Sequence, residues 1–228
     1  MRKIIAIVLL AVIVMGISLA VREIPFGKTD TKVGEYYLNE GKEETGAANI
    51  VTSVVVNYRG FDTLGEIAVL FTAAIGLGAV FGSRKKKKDA EEVEKSSLIV
   101  YTGCRFLFPV ILLVGAYIFI HGHLTPGGGF QGGAVVASAF LLMYLTCRGK
   151  RIRDKSNKVV ESLGGLIFVG IGLVGLIIGK GFLFNFLPKG EFLTLFSGGI
   201  IPIIYIAIGF KVGAELTGVL DNIIEESK

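Results

Sequence analysis

The sequence predicts an all-α integral membrane protein of about six transmembrane helices, with both termini in the cytoplasm. Three observations predict it. Apolar residues make up 52% of the 228, glycine contributes 32, and the mean hydropathy is +0.66. A water-soluble domain has no use for so much apolar surface, whereas membrane helices tolerate frequent glycine. Six apolar stretches reach the roughly 20 residues that a helix needs to cross the hydrocarbon layer. Lysine and arginine gather in alternate connections, the habit of cytoplasmic loops.

In order, the spans fall near residues 4–21, 62–82, 98–120, 128–147, 159–179 and 196–220. Arg2 and Lys3 before the first run, with Ser18-Leu19-Ala20 near its end, resemble a secretory signal. The run is long for a signal's apolar region, and we read it as a retained span. Residues 22–60 form a long excursion. Through Glu44 it mixes charges with glycine and reads as solvated chain. From Ala47 to Val56 it turns apolar, but it is too short to cross and contains Asn49, Thr52 and Ser53; it belongs at the interface or against neighbouring helices.

Arg84 to Lys88 form an unbroken basic run after the second span. Arg148, Lys150, Arg151, Arg153, Lys155 and Lys158 crowd the connection between the fourth and fifth. The positive-inside rule places these, with Arg2 and Lys3, in the cytoplasm, and six crossings return the C-terminus there. The net charge of +5 is thus a matter of topology and not a nucleic-acid footprint. Asp89, Glu91, Glu92, Glu94 and Lys95 continue a charged linker, 84–97, between a two-span module, 1–83, and a four-span module, 98–228. Cys104 and Cys147 have no metal-ligand spacing and read as ordinary helix-end residues.

Two constellations carry chemistry. The first is His121-Gly122-His123-Leu124-Thr125-Pro126-Gly127-Gly128-Gly129-Phe130-Gln131-Gly132-Gly133. It satisfies the spelling of a dinucleotide fingerprint, but an apolar span precedes it where a strand is required. The two histidines have no Cys, Asp or Glu beside them to complete a metal set. The stretch reads as a tight turn into a closely packed helix, or as irregular backbone whose imidazoles relay protons near neutral pH. The second is Arg59-Gly60-Phe61-Asp62-Thr63-Leu64-Gly65-Glu66, which opens the second span. Asp62 and Glu66 share a helical face. Asp62 is explained by a helix-end role and an ion pair with Arg59, whereas Glu66 lies inside the apolar run and must be protonated, paired or wetted. Other charges sit near span ends: Arg105, Glu161, Asp221 and the i, i+4 pair Lys211 and Glu215. Such charges ordinarily snorkel to water; Lys211 and Glu215 join Asp62, Glu66, His121 and His123 as pathway candidates.

At these two constellations the sequence resembles a known family. Residues 121–133, with the spans around them from about 98 to 220, resemble the B subunit (MrpB/MnhB) of Mrp-type multisubunit Na+/H+ antiporters. Residues 1–83, through Arg59 to Glu66 and the stretch 49–57, resemble the C-terminal part of the large A subunit (MrpA), which stands as a small separate subunit in archaeal membrane-bound hydrogenases. The resemblance implies that Asp62 and Glu66 belong to an acidic motif, and that His121, His123, Pro126 and Phe130 belong to a glycine-rich one. It also implies Na+ and H+ as transported ions, other Mrp-like membrane subunits as partners beside the lipid bilayer, and a host complex of the antiporter, hydrogenase or sulfane reductase kind. In a redox-driven host the redox centres lie in other subunits, because this chain has no cysteine cluster and no histidine pair spaced for haem. No catalytic residue, resident cofactor or metal site is expected. The alternatives are a purely structural subunit, an autonomous transporter (against which the unequal halves show no internal repeat) and a metal enzyme using His121 and His123.

Overall fold

The computed structural model describes residues 2–23, 32–82, 97–146, 152, 154–179 and 181–226. The basic run 84–88, the linker charges 89–95, Cys147, Arg148, Lys150, Arg151 and Arg153 lie outside the described residues. The regular elements are helical: α1 Arg2–Glu23, α2 Lys32–Thr45, α3 Ile50–Thr52 running into a π-helical turn Ser53–Tyr58, α4 Gly60–Gly82, α5 Leu98–Ile120, α6 Gly129–Thr146, α7 Asp154–Ile178 and α8 Ile201–Glu226. Among the described residues there is no strand, and six helices are long and apolar enough to cross a membrane.

The chain forms two compact units, residues 1–36 and 37–228. The first contains α1, whose sequence is apolar on every face, as befits a helix surrounded by lipid or by other membrane helices. In the second unit α8 is the central helix and packs against α4, α5, α6 and α7. Its buried side Ile201, Ile204, Ile208 and Val212 repeats at helical spacing and meets Val56, Phe168 and Leu183 in one core.

Helix α2 runs from Lys32 to Thr45 with most of its side chains exposed, in keeping with the solvated reading of this segment, while it buries Gly41 and Thr45 and stacks Tyr37 on Tyr58 at 4.7 Å. One expectation changes here. The last span does not begin near residue 196. Residues 181–200 are a folded loop, and α8 starts at Ile201 and continues to Glu226. Phe196 is exposed within that loop. Two adjacent glycines, Gly198 and Gly199, with φ of 84° and 61°, stop the apolar run from being helical any earlier.

The same loop inserts Leu183 into the bundle. Leu183 is fully buried although its φ is 61°, a backbone state that costs a leucine about 1–2 kcal/mol. Burial of its side chain offsets that cost. Gly60 makes the room, since a Cβ there would lie 2.7 Å from Leu183 Cδ1. The start of α4 is therefore locked to the loop before α8.

Candidate ion-handling site

The chemistry-bearing residues occupy two levels of the second unit. The first is the end where the turn 121–128 and the loop 181–200 meet, here called the histidine end. The turn is held from a distant part of the sequence. Asn49 Nδ2 donates to the carbonyls of Gly122 at 2.9 Å and Thr125 at 3.0 Å, and its backbone N–H donates to the His123 carbonyl at 3.0 Å. Thr52 Oγ1 donates to the Gly122 carbonyl at 2.7 Å and accepts from the Tyr205 hydroxyl at 3.0 Å. Asn49 also caps α3, its side chain accepting from the N–H groups of Val51 and Thr52. The apolar piece 47–56 thus packs on its neighbours, one of the two placements its sequence allowed.

The two histidines differ sharply. His121 stacks on Tyr117 with ring centroids 4.2 Å apart, and its Nδ1 lies 3.1 Å from the Tyr117 carbonyl. His123 is fully buried, and neither ring nitrogen closes a hydrogen bond. The carbonyls of Thr194, Leu195 and Ile120 face its ring and favour a proton there. Burial outweighs them, and with the nearby His121 it holds the His123 pKa below the ordinary 6.5. The Ser197 hydroxyl is buried and unpartnered at the same end.

The glycine motif serves packing. A Cβ on Gly132 would lie 2.7 Å from the Gly115 carbonyl of α5, and one on Gly133 would lie 2.9 Å from the Gly209 carbonyl of α8. Helix α6 is therefore wedged between two backbones, and only glycine permits that approach. Gly129 meets Ile208 and the Tyr205 carbonyl in the same way, Gly127 faces the Ile118 carbonyl, and Gly128 approaches Gln131 and Tyr205. Phe130 packs against the core, while Pro126 and Gln131 are exposed.

On α4, Arg59 Nη2 and Asp62 Oδ2 form an exposed ion pair at 2.5 Å. Glu66, a turn deeper, is exposed on the flank of the helix. The Thr63 hydroxyl between them donates to the Val55 carbonyl at 2.8 Å, which ties α4 to the π-helical turn.

The second level is the middle of the bundle. Lys211 Nζ donates to Glu215 Oε2 at 2.6 Å, with side-chain exposures of 8% and 1%. The expectation that these charges sit near a span end and reach water is overturned. The apolar stretch of α8 is Ile201–Ile224, 24 residues long, and Lys211 falls near its centre. The lysine stem lies along Gly164 and Gly165 of α7, and Nζ sits 5.5 Å from the centroid of the Phe71 ring on α4. Glu215 Oε1 is buried without a hydrogen-bond partner. Removing one member of such a pair costs about 3–5 kcal/mol. Arg105, by contrast, is exposed and lies over the Tyr101 ring.

Sequence reasoning missed Asn49, Thr52, Tyr205 and Ser197 as members of the histidine end. Asn49 and Thr52 carried a signal, as polar residues in an otherwise apolar run. Tyr205 and Ser197 carried none. Among the described residues no group of three or more His, Cys, Asp or Glu side chains is placed to hold a metal ion.

Residues 99–218 match the family model described as a domain related to the MnhB subunit of Na+/H+ antiporter. The chain belongs to this MnhB-related family. Ahead of the MnhB-related domain, residues 1–97 match the MbhE model, named for one of the subunits of MBH, a membrane-bound hydrogenase. An uncharacterised protein of Methanocaldococcus jannaschii is 35% identical over 195 residues, covering 74% of each chain. Among solved structures, a chain of the membrane-bound sulfane sulfur reductase, an archaeal respiratory membrane complex, is 48% identical with a TM-score of 0.77, and the match covers 97% of both chains. A chain of the Mrp complex from Dietzia sp. DQ12-45-1b is 25% identical with a TM-score of 0.70; that match covers 97% of this MnhB-related chain and 26% of the larger one. These similarities make the protein a multi-pass membrane subunit of a large assembly.

Proposed function

We propose that this chain is a non-catalytic membrane subunit of an Na+/H+ antiporter-type ion-translocating module, working within an energy-converting respiratory complex of the sulfane reductase or membrane-bound hydrogenase kind. The observation that carries the reading is the end-to-end likeness, 97% of both chains, to a subunit of the sulfane sulfur reductase complex. Both sequence constellations then belong to one ion-handling part of the complex, with Na+ and H+ as the ions moved and the redox groups in other subunits.

In this reading Asp62 and Glu66 stand at one mouth of the route. An intramembrane carboxylate is costly unless water, a proton or a partner relieves it, and the exposed flank of α4 offers Glu66 to a neighbouring subunit. His121 and His123 lie at the same end, and Lys211 with Glu215 lies deeper. The cytoplasmic side is the one carrying Lys155 and Lys158.

The test is Glu66→Gln in the assembled complex, reconstituted in vesicles. Sodium-coupled proton movement should fall by about tenfold or more while all subunits still co-purify. Unchanged transport would favour the second reading, a structural subunit whose glycine-lined faces seal the assembly, for which the wedge of α6 between α5 and α8 is the supporting observation.

A further inference from the structure

We propose that the Lys211–Glu215 pair is a proton relay at the middle of the membrane, passing one proton at a time between Glu161 on one side and Glu66 on the other. The proposal rests on the function proposed above and adds to it a specific ion, the proton, and a route through this chain.

Four observations support it. The pair is buried at the centre of the apolar stretch of α8. A buried ion pair contributes little stability that apolar side chains of similar volume would not match, so its presence calls for another use. One carboxylate oxygen, Glu215 Oε1, is buried with no hydrogen-bond partner and can accept a proton. The surroundings also let the lysine stand alone for a time: the glycine pair Gly164 and Gly165 leaves its stem a track along α7, and the Phe71 ring lies beneath the ammonium. Finally, other carboxylates flank the pair. Glu161 of α7 is half-buried and stands one turn before Gly164 and Gly165, against which the Lys211 stem packs. Glu66 stands on α4 five residues before Phe71, about 7.5 Å along the helix by its rise, and it is Phe71 that the ammonium faces.

The groups facing the pair can be named by element. Helix α4 presents Phe71 and, nearer the histidine end, Glu66; α7 presents Glu161 and Asn157, whose Nδ2 donates to the Ala214 carbonyl at 2.7 Å. Helices α6 and α5 present Val136 and Phe119 near this level, and α8 itself carries Asp221 beyond Glu215.

At rest Lys211 is an ammonium and Glu215 a carboxylate. A proton arriving from the Glu161 side bonds to Glu215 Oε1, and the ammonium loses its counter-ion in apolar surroundings. Lys211 Nζ then releases a proton toward Glu66, leaving an amine beside a carboxylic acid. Half a rotation of the carboxyl group brings its proton to Nζ, and transfer restores the ammonium–carboxylate pair. One proton has entered and one has left, with only O–H and N–H bonds made and broken. The reverse sequence carries a proton the other way.

The experiment uses the complex purified through a tag on this chain and reconstituted in vesicles that contain a pH-sensitive dye. The double variant Lys211→Met/Glu215→Leu replaces the pair as a unit, so assembly and thermal stability should stay at the wild-type level. Proton movement should fall by about tenfold or more. An assembled double variant that moves protons at the wild-type rate overturns the relay. If that happens while Glu66→Gln still abolishes transport, the relay fails and the proposed function stands; if neither variant changes transport, both fail. Should the double variant not assemble, Glu161→Gln decides, because this half-buried residue makes no ion pair seen among the described residues. Severalfold slower proton movement in an intact complex supports the relay, and an unchanged rate overturns it.

Discussion

His123 is fully buried with neither ring nitrogen hydrogen-bonded, and that condition has a measurable consequence. Burial lowers its pKa in the folded chain below the ordinary 6.5. Below about pH 6.5 the unfolded chain therefore binds a proton on this imidazole that the folded chain resists, and folded-state stability falls with pH until the lowered folded value is passed. Above that window the group is neutral in both states and contributes no slope. The thermal midpoint of the purified protein should drop between pH 7.5 and 5, and His123→Phe should flatten the part of that drop due to this residue. An equal slope in the variant would show that His123 is not the group responsible. The sequence singled out both histidines, but their i, i+2 spacing could not say which one turns inward. That depends on a loop some 70 residues further along the chain, whose carbonyls close over His123 alone. Asn49 is a similar case. It was visible as a polar interruption, while its two acceptors at Gly122 and Thr125 became visible only once the chain had folded.

At the scale of elements, glycines with the same sequence context have opposite roles. Gly132 faces α5 so closely that an added Cβ would stand 2.7 Å from the Gly115 carbonyl, whereas a Cβ on Gly170 of α7 would meet nothing within 4 Å. Gly132→Ala must push two helix backbones apart, and overpacking of this kind costs about 1–3 kcal/mol. Gly170→Ala removes backbone freedom from the unfolded chain and improves helix propensity by up to about 1 kcal/mol. Thermal unfolding in detergent should show the first variant less stable than wild type and the second equal or more stable. Equal destabilisation by both would mean that α6 is not wedged as described. The helices themselves were legible from runs of apolar residues: four of the six spans fall within two residues of their expected limits, and the fifth starts five residues earlier, at Asp154. The sixth was misplaced because residues 192–200 are nearly as apolar as the helix that follows. Hydropathy alone cannot separate such a loop from a helix, although Phe192, Leu193, Leu195 and Phe196 are exposed and Ile200 is buried. Lys211 lies well inside the span by either set of limits; its burial among neighbouring helices is what hydropathy could not show.

For the molecule as a whole, the remaining claim is its orientation, and it follows from charge alone. The histidine end gathers the turn 121–128, the loop 181–200 and the start of α4, and its exposed charges are mixed: Lys42, Glu43, Arg59, Asp62, Lys189 and Glu191. The opposite end receives the start of α7, with Lys155 and Lys158, and the connection whose sequence supplies Arg148, Lys150, Arg151 and Arg153. Each such cation near a span end biases insertion against translocation of its loop, so the histidine end should face away from the cytoplasm. Single cysteines decide the matter, introduced at Glu191 and at Lys155 in a chain whose Cys104 and Cys147 are replaced by alanine. A membrane-impermeant maleimide added to intact cells should label the Glu191→Cys protein, and should label the Lys155→Cys protein only after the membrane is permeabilised. The reverse pattern would invert the whole assignment. Glu66 would then face the cytoplasm, and the side of proton entry at Glu161 would exchange with it, while the helix packing and the relay chemistry would be unaffected. Orientation is thus separable from mechanism, because the buried pair sits near the midplane and its steps run equally well in both directions.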